Sequence, residues 1–242
     1  MFRKTKQRSG MTLGEVVVSV AIIAAMIAVT IPAVEILRES FHSSGAKTMI
    51  SSALSAARAL AAKHQRYAGI RFQFDPNGRE QYMIFILHDP QNLSSVNGFR
   101  AIEGLKPMKL PEDQGIMDLY VAGQPLDVAG DPDSVMADPN NVTDTTTFSI
   151  IFSPSGKLII HDVRVLHFSN NDKIFNDLGS VNALFDEDTN NIMPYKLELS
   201  RGSFVIYDKK EFSKIDSTRR WTDYLCRLQV LYLNPYTGTI IE

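Results

Sequence analysis

The chain holds a single cysteine, Cys226. One cysteine excludes an internal disulfide, so the fold must stand on its apolar core even in an oxidising compartment. Set between Leu225 and the alternating "RLQVLYL", Cys226 reads as a small buried hydrophobe rather than a reactive thiol. Excess positive charge is also missing: 25 Lys and Arg face 27 Asp and Glu, a net charge of −2. Four of those cations crowd into the first ten residues, so the remainder is more acidic still and offers no global surface for nucleic acid. No internal repeat is present, and no catalytic constellation. "SPSGK" (153–157) lacks the spacing of a phosphate loop and reads as a β-turn. Ser44 and Lys47 form an S-x-x-K without the companion motifs of serine acyl-enzymes. The five histidines (42, 64, 88, 161, 167) fit no metal-ligand spacing. The chain is therefore expected not to be an enzyme.

Long apolar runs are scarce too, with one exception. Val16–Val34 is broken only by Ser19, Thr30 and Pro32. As a helix this run would extend roughly 28 Å, close to the ~30 Å of a bilayer's hydrocarbon. Arg3, Lys4, Lys6 and Arg8 precede it and predict a cytoplasmic N-terminus, with everything after Val34 carried across the membrane in a single pass. A cleavable secretory signal fits less well, because Ile31 stands where a small residue is wanted and the run is longer than a usual signal core. A plain signal anchor carrying a periplasmic domain of unrelated function is the other alternative. Neither accounts for a glycine at position 10 or a glutamate at position 15.

The stretch "RKTKQRSG" followed by "MTLGEVVVSVAII" resembles the class III leader of type IV prepilins and pseudopilins. That resemblance implies cleavage after Gly10 by a prepilin peptidase and N-methylation of Met11. It also implies a filament-docking role for Glu15, the fifth residue after the cut. Pro32 matches a proline common late in the family's apolar stretch, and with Gly14 it marks where the helix would kink. Met11 departs from the usual phenylalanine and Gly14 from a bulky aliphatic; glycine there costs about 1 kcal/mol of helix stability against alanine. The docking role has a physical basis. An unpaired carboxylate in an apolar setting is expensive, so Glu15 would reward only a neighbour that brings an amine to the right axial register.

Beyond Pro32 the spacing of Ile50, Leu54, Ala57 and Ala61 places them on one helical face, while Arg58, Lys63 and Arg66 fall elsewhere and read as solvated. One helix is expected from about Met11 to Arg66, with a soft spot at "SSG" (43–45). Its small residues (Ala53, Ala56, Ala57, Ala59, Ala61, Ala62) allow a sheet to approach closely. After Gly69 the period becomes two. "GIRFQF", the turn "DPNG" and "QYMIFILH" read as a hairpin, and so do "FSIIF", "SPSG" and "KLIIHDVRVLHF". Strands are also expected at "YKLEL", "GSFVIYD" and "RLQVLYLN", a short helix near "DSTRRWTDYL", and a last strand after a turn at Thr237–Gly238. Residues 89–147 read as long loops with one strand at "IMDLYVA".

The long helix with its "SAARALAAKHQR" stretch, the strand pair after it and the "FSPSGKL" turn resemble the H-type minor pseudopilins of type II secretion. The expected fold is α+β: a long N-terminal helix, membrane-spanning in its first half, packed on an antiparallel sheet or sandwich head. The expected segments are a leader (1–10), a transmembrane half-helix (11–34), an amphipathic half-helix (35–68) and a periplasmic β-rich head (69–242). The expected function is a structural minor pseudopilin of a type II secretion pseudopilus or type IV pilus-like filament, held in the inner membrane. Its partners would be prepilin peptidase and other pilins or pseudopilins. DNA uptake is the alternative, suggested by "KKEFSKIDSTRRW" (209–221), but three acids dilute the cations in and around that stretch and it lacks a stacking platform. No cofactor is expected. Calcium has one candidate loop, Asp186, Asp188 and Asn190 in "DEDTNN"; Asn191 and Leu197 stand where a calcium loop has glycine and glutamate, so a solvated acidic loop is the favoured reading.

Overall fold

The computed structural model describes residues 13–75, 80–88, 98–102, 104–121, 124–128, 130–166 and 195–241, with side chains between residues 13 and 44 described only at positions 14, 17, 18, 20, 22 and 26. The chain divides into two compact units, residues 1–42 and 43–242.

Helix α1 (Leu13–His64) comprises 52 residues. Within the second unit it buries Ala46, Ile50, Ala53, Leu54, Ala57 and Ala61, the spacing of one apolar face, and leaves Ser55, Ala56, Ala59 and Ala62 exposed. It ends in a left-handed residue, Gln65 (φ 51°). There the Arg66 N–H reaches back to the Ala61 carbonyl at 3.3 Å, the longer of the two closing bonds of a Schellman cap. Lys63 and His64 in the last turn suit the negative end of the helix dipole.

The expected membrane-spanning half of this helix is corrected. Among the described residues no helix is long and apolar enough to cross a membrane. A span needs about 20 consecutive, predominantly apolar residues. The continuously described part of α1, from Gly45 on, instead carries Lys47, Arg58 and Lys63 among Ser51, Ser52 and Ser55. The transmembrane half-helix in the expected fold class falls with this finding, and so does the single-pass inner-membrane localisation with a periplasmic head. What stands is an α+β protein with antiparallel sheets.

The strands and remaining helices, in chain order, are β1 (Ala68–Asp75), β2 (Glu80–His88), β3 (Gly98–Ala101), β4 (Met108–Lys109), β5 (Gln114–Met117), β6 (Tyr120–Val121), β7 (Gln124–Pro125), α2 (Pro132–Ala137), α3 (Pro139–Thr146), β8 (Phe148–Phe152), β9 (Leu158–Ile159), β10 (Asp162–Leu166), β11 (Tyr195–Leu199), β12 (Ser203–Asp208), α4 (Lys209–Lys214), α5 (Arg220–Asp223), β13 (Leu231–Leu233) and β14 (Ile240–Ile241). An eight-stranded sheet runs β11-β10-β3-β2-β1-β8-β9, with β4 also on β2. A four-stranded sheet runs β14-β13-β12-β5, and β6 and β7 form a ribbon of their own. Among the described residues all pairings are antiparallel except that of β10 with β3. β1 and β2 are the first expected hairpin, with Ala68 opposite Leu87 and Asp75 opposite Glu80. β8 and β9 pair across "SPSG" as expected, but "KLIIHDVRVLHF" is not one strand. It breaks at Ile160–His161, and β10 crosses to the far side of the sheet beside β3.

The helix, the inner face of β1, β2 and β8, and residues of β12 and β13 share the main core. Phe72 stacks on Phe148 with ring centres 4.9 Å apart. Each such fully buried side chain stabilises the fold by about 1.5–3 kcal/mol. A smaller cluster (Ile84, Ile86, Phe99, Ala101, Ile151, Val163) lies on the opposite face. A third gathers Met117, Leu126, Met136, Val205, Tyr207, Phe212 and Leu225. Two further expectations are corrected. Among the described residues of 89–147, five short strands (β3 to β7) and two helices (α2 and α3) stand where one strand was expected. Cys226 is exposed: residues Leu225–Arg227 form a 3-10 turn that buries Leu225 and turns its neighbour outward.

Candidate functional site

Gly10 and Met11 lie outside the described residues, as do Asp186, Asp188 and Asn190. Gly14, Glu15 and Pro32 lie within α1, and helical backbone continues on both sides of each. An added Cβ at Gly14 would meet nothing within 4 Å. Along the same part of the helix Val17, Val18, Val20, Ile22 and Met26 stand 56–66% exposed. Val18, Ile22 and Met26 recur at every fourth position and so share one line of the helix surface.

Among the described residues no group of three or more His, Cys, Asp or Glu could hold a metal ion. His88 and His161 pack as rings instead. Tyr67 lies 4.8 Å from His161 and 5.9 Å from His88 between ring centres, and Phe99 lies 5.4 Å from His88. The basic stretch 209–221 is dispersed among partners. Lys210 pairs with Asp113 at 2.8 Å, Lys214 with Glu211 at 2.6 Å and Arg219 with Asp223 at 3.0 Å. Burial lowers the Lys209 ammonium below its ordinary range. Arg220 turns inward, donating to the Met136 carbonyl at 3.0 Å and lying over the Phe212 ring. A phosphate backbone would meet mixed charge here rather than a basic stripe.

Three polar joints, none singled out by sequence, hold the second unit together. The first is Arg58, which is not simply solvated. Its Nε donates to the Gly156 carbonyl at 2.8 Å and its Nη1 to the Thr237 carbonyl at 3.2 Å. One helical side chain thus pins both the "SPSG" and the "NPYTG" turns. Gly156 has φ 76°, and a Cβ there would come within 2.9 Å of Arg58 Nε, so the turn needs glycine for conformation and for space. The signal was present in the alanine-arginine stretch and the F-x-P-x-G element, though not their contact.

Gln81 of β2 makes the second joint. Its Nε2 donates to the carbonyls of Ile116 (2.8 Å) and Thr146 (2.6 Å), and its Oε1 accepts from the Ile116 N–H at 2.8 Å. The side-chain amide pairs with the Ile116 peptide as a neighbouring strand would, at the outer strand of the four-stranded sheet. At the third joint, Arg201 Nε lies 2.6 Å from Asp118 Oδ2. The Arg201 N–H reaches the Ser149 carbonyl of β8 at 2.7 Å, and the Asp118 N–H reaches Thr145 at 3.0 Å. The pair therefore ties the two larger sheets and α3. Asp133 adds a smaller link by accepting from the N–H groups of Trp221 and Thr222 at the start of α5. Burial alone would raise its carboxyl, but the bonds from Thr222 and Trp221 hold it below the usual range.

No protein-family model, no curated protein and no solved structure matches this chain.

Proposed function

We infer that the chain is a structural, non-enzymatic subunit of a pilin-like filament. The reading is a minor pseudopilin of a type II secretion pseudopilus, or of a related type IV pilus-like filament, cut after Gly10 by a prepilin peptidase and methylated at Met11. The observation that carries it is the Gly10–Met11 junction with Glu15 five residues on, continued by a helix that exposes Val17, Val18, Val20, Ile22 and Met26, three of them in one line. Full burial of such side chains gains about 1.5–3 kcal/mol each. Five of them therefore bring an attraction of the same order as the roughly 4–15 kcal/mol lost to immobilisation on association. Apolar packing is non-directional, so it does not fix how far one helix slides along another. Pairing of Glu15 with the new amine of a neighbouring subunit supplies that register.

The test is Glu15→Val. The variant is expected to be processed like the parent and to fail to enter filaments, read by N-terminal sequencing and by sedimentation of sheared filaments. Normal incorporation of the valine variant would refute the docking role.

A further inference from the structure

Gly14 is a gap in a line of exposed apolar side chains. Val18, Ile22 and Met26 are exposed, and Gly14, exposed as well, stands one step of four before them. Residues four apart in a helix lie one above the other on the same surface, about 6 Å apart along the axis. The line is therefore three knobs and, at the end nearest Glu15, one missing knob. Packing within the chain gives no reason for the glycine, because a Cβ added there would meet nothing within 4 Å. A helix gives up stability to carry glycine rather than alanine. What glycine offers in return is room for another chain to come close.

The spacing of the charged pair says which chain that is. In the filament reading above, on which the socket rests, the new amine at Met11 of one subunit meets Glu15 of the next. That pairing joins positions four residues apart, so two parallel copies stand offset by about 6 Å. The apolar line has the same interval. In this register Gly14 of the copy that gives its amine is level with Val18 of the copy that accepts it. Val18 is then level with Ile22, and Ile22 with Met26. With no offset, glycine would face glycine across a void and lose its contacts, while each large side chain would meet its own copy head on.

We propose that Gly14 is a socket for Val18 of a second copy of this chain, the two helices packing parallel and offset by four residues. Glu15, the next residue, closes the same joint through its charge. Apolar burial alone leaves the axial position open, whereas a knob that fits one hole fixes it. Shape and charge thus select one register.

Two measurements on the full chain expressed in its native cells test the socket. In a Cys226→Ser background, one tagged copy carries Gly14→Cys and another Val18→Cys, and sheared filaments are oxidised. The expected product is a 14-to-18 disulfide in clear excess over the 14-to-14 and 18-to-18 products. Gly14→Leu is expected to be cut after Gly10 like the parent and to enter filaments about tenfold less, since it overfills the joint. Adding Val18→Ala to the same chain should restore most of that entry, because the large and small positions have changed places. Gly14→Leu entering filaments like the parent overturns the proposal. So does a 14-to-14 bridge as abundant as the 14-to-18 one, or no 14-to-18 bridge although both copies are present in filaments. Should the leucine variant not fold, the disulfides decide alone. A parent chain neither cut after Gly10 nor found in filaments would fell the filament reading itself, and the socket with it.

Discussion

Replacing Gln81 by leucine tests how the two larger sheets are joined. β5 is the outer strand of its sheet, so among the described residues the Ile116 peptide groups that face away from β12 are met by Gln81. Leucine nearly preserves the volume and removes all three bonds at once. Each buried backbone group stripped of its partner costs about 1–3 kcal/mol. Two of the three are carbonyls, which tolerate loss better than an N–H. Burial of the leucine side chain returns roughly 1.5–3 kcal/mol. The net loss is about 3 kcal/mol, or about 6–12 °C in melting temperature for a domain of this size. Gln81→Glu is expected to be worse near neutral pH. It keeps an acceptor for the Ile116 N–H but sets a charge against two carbonyl oxygens, and it should recover partly on acidification as the acid becomes a donor. Urea and thermal unfolding followed by circular dichroism give both numbers. A leucine variant melting within about 2 °C of the parent, with unchanged cooperativity, would refute the strand-mimic account.

Arg58→Ala should cost about 2 kcal/mol, the upper range being limited by partial exposure, because two carbonyls lose a charged donor. Gly156→Ala should cost a similar amount by strain at positive φ and by displacing the arginine, and the double variant should cost less than the sum, since both break one joint. Unfolding midpoints of the three proteins check this. Cys226 should react with a thiol reagent in the native protein at close to the rate of a free peptide thiol, as its exposure requires; reaction only after unfolding would contradict the 3-10 turn at Leu225–Arg227.

Much of the second unit was legible because its signals are local. Alternation bounded by "DPNG" and "SPSG" marks β1, β2, β8 and β9, and the spacing of Ile50, Leu54, Ala57 and Ala61 marks the buried face of α1. Some legible signals passed unread. Asp131–Pro132 and Asp138–Pro139 are two N-cap and first-turn proline pairs, and they open α2 and α3. Other features carry no local signal. Leu119 breaks "IMDLYVA" in a left-handed conformation that nothing in its side chain announces, and β10 crosses the sheet because a distant strand, β3, accepts it. Gln81, Asp118 and Arg201 are ordinary polar residues in sequence and become joints only when strands far apart in the chain converge. The membrane-spanning reading rests on the length of the Val16–Val34 run and on the cations before it, and among the described residues no helix supplies such a span.

The central claim is that Gly10–Met11 is a prepilin-type processing junction, and the most direct test is intact mass and N-terminal peptide mapping of the protein from its native cells. The account predicts a chain that begins at an N-methylated Met11. A chain that retains Met1, or one that begins near Val34, would contradict it and would leave Glu15 without its partner.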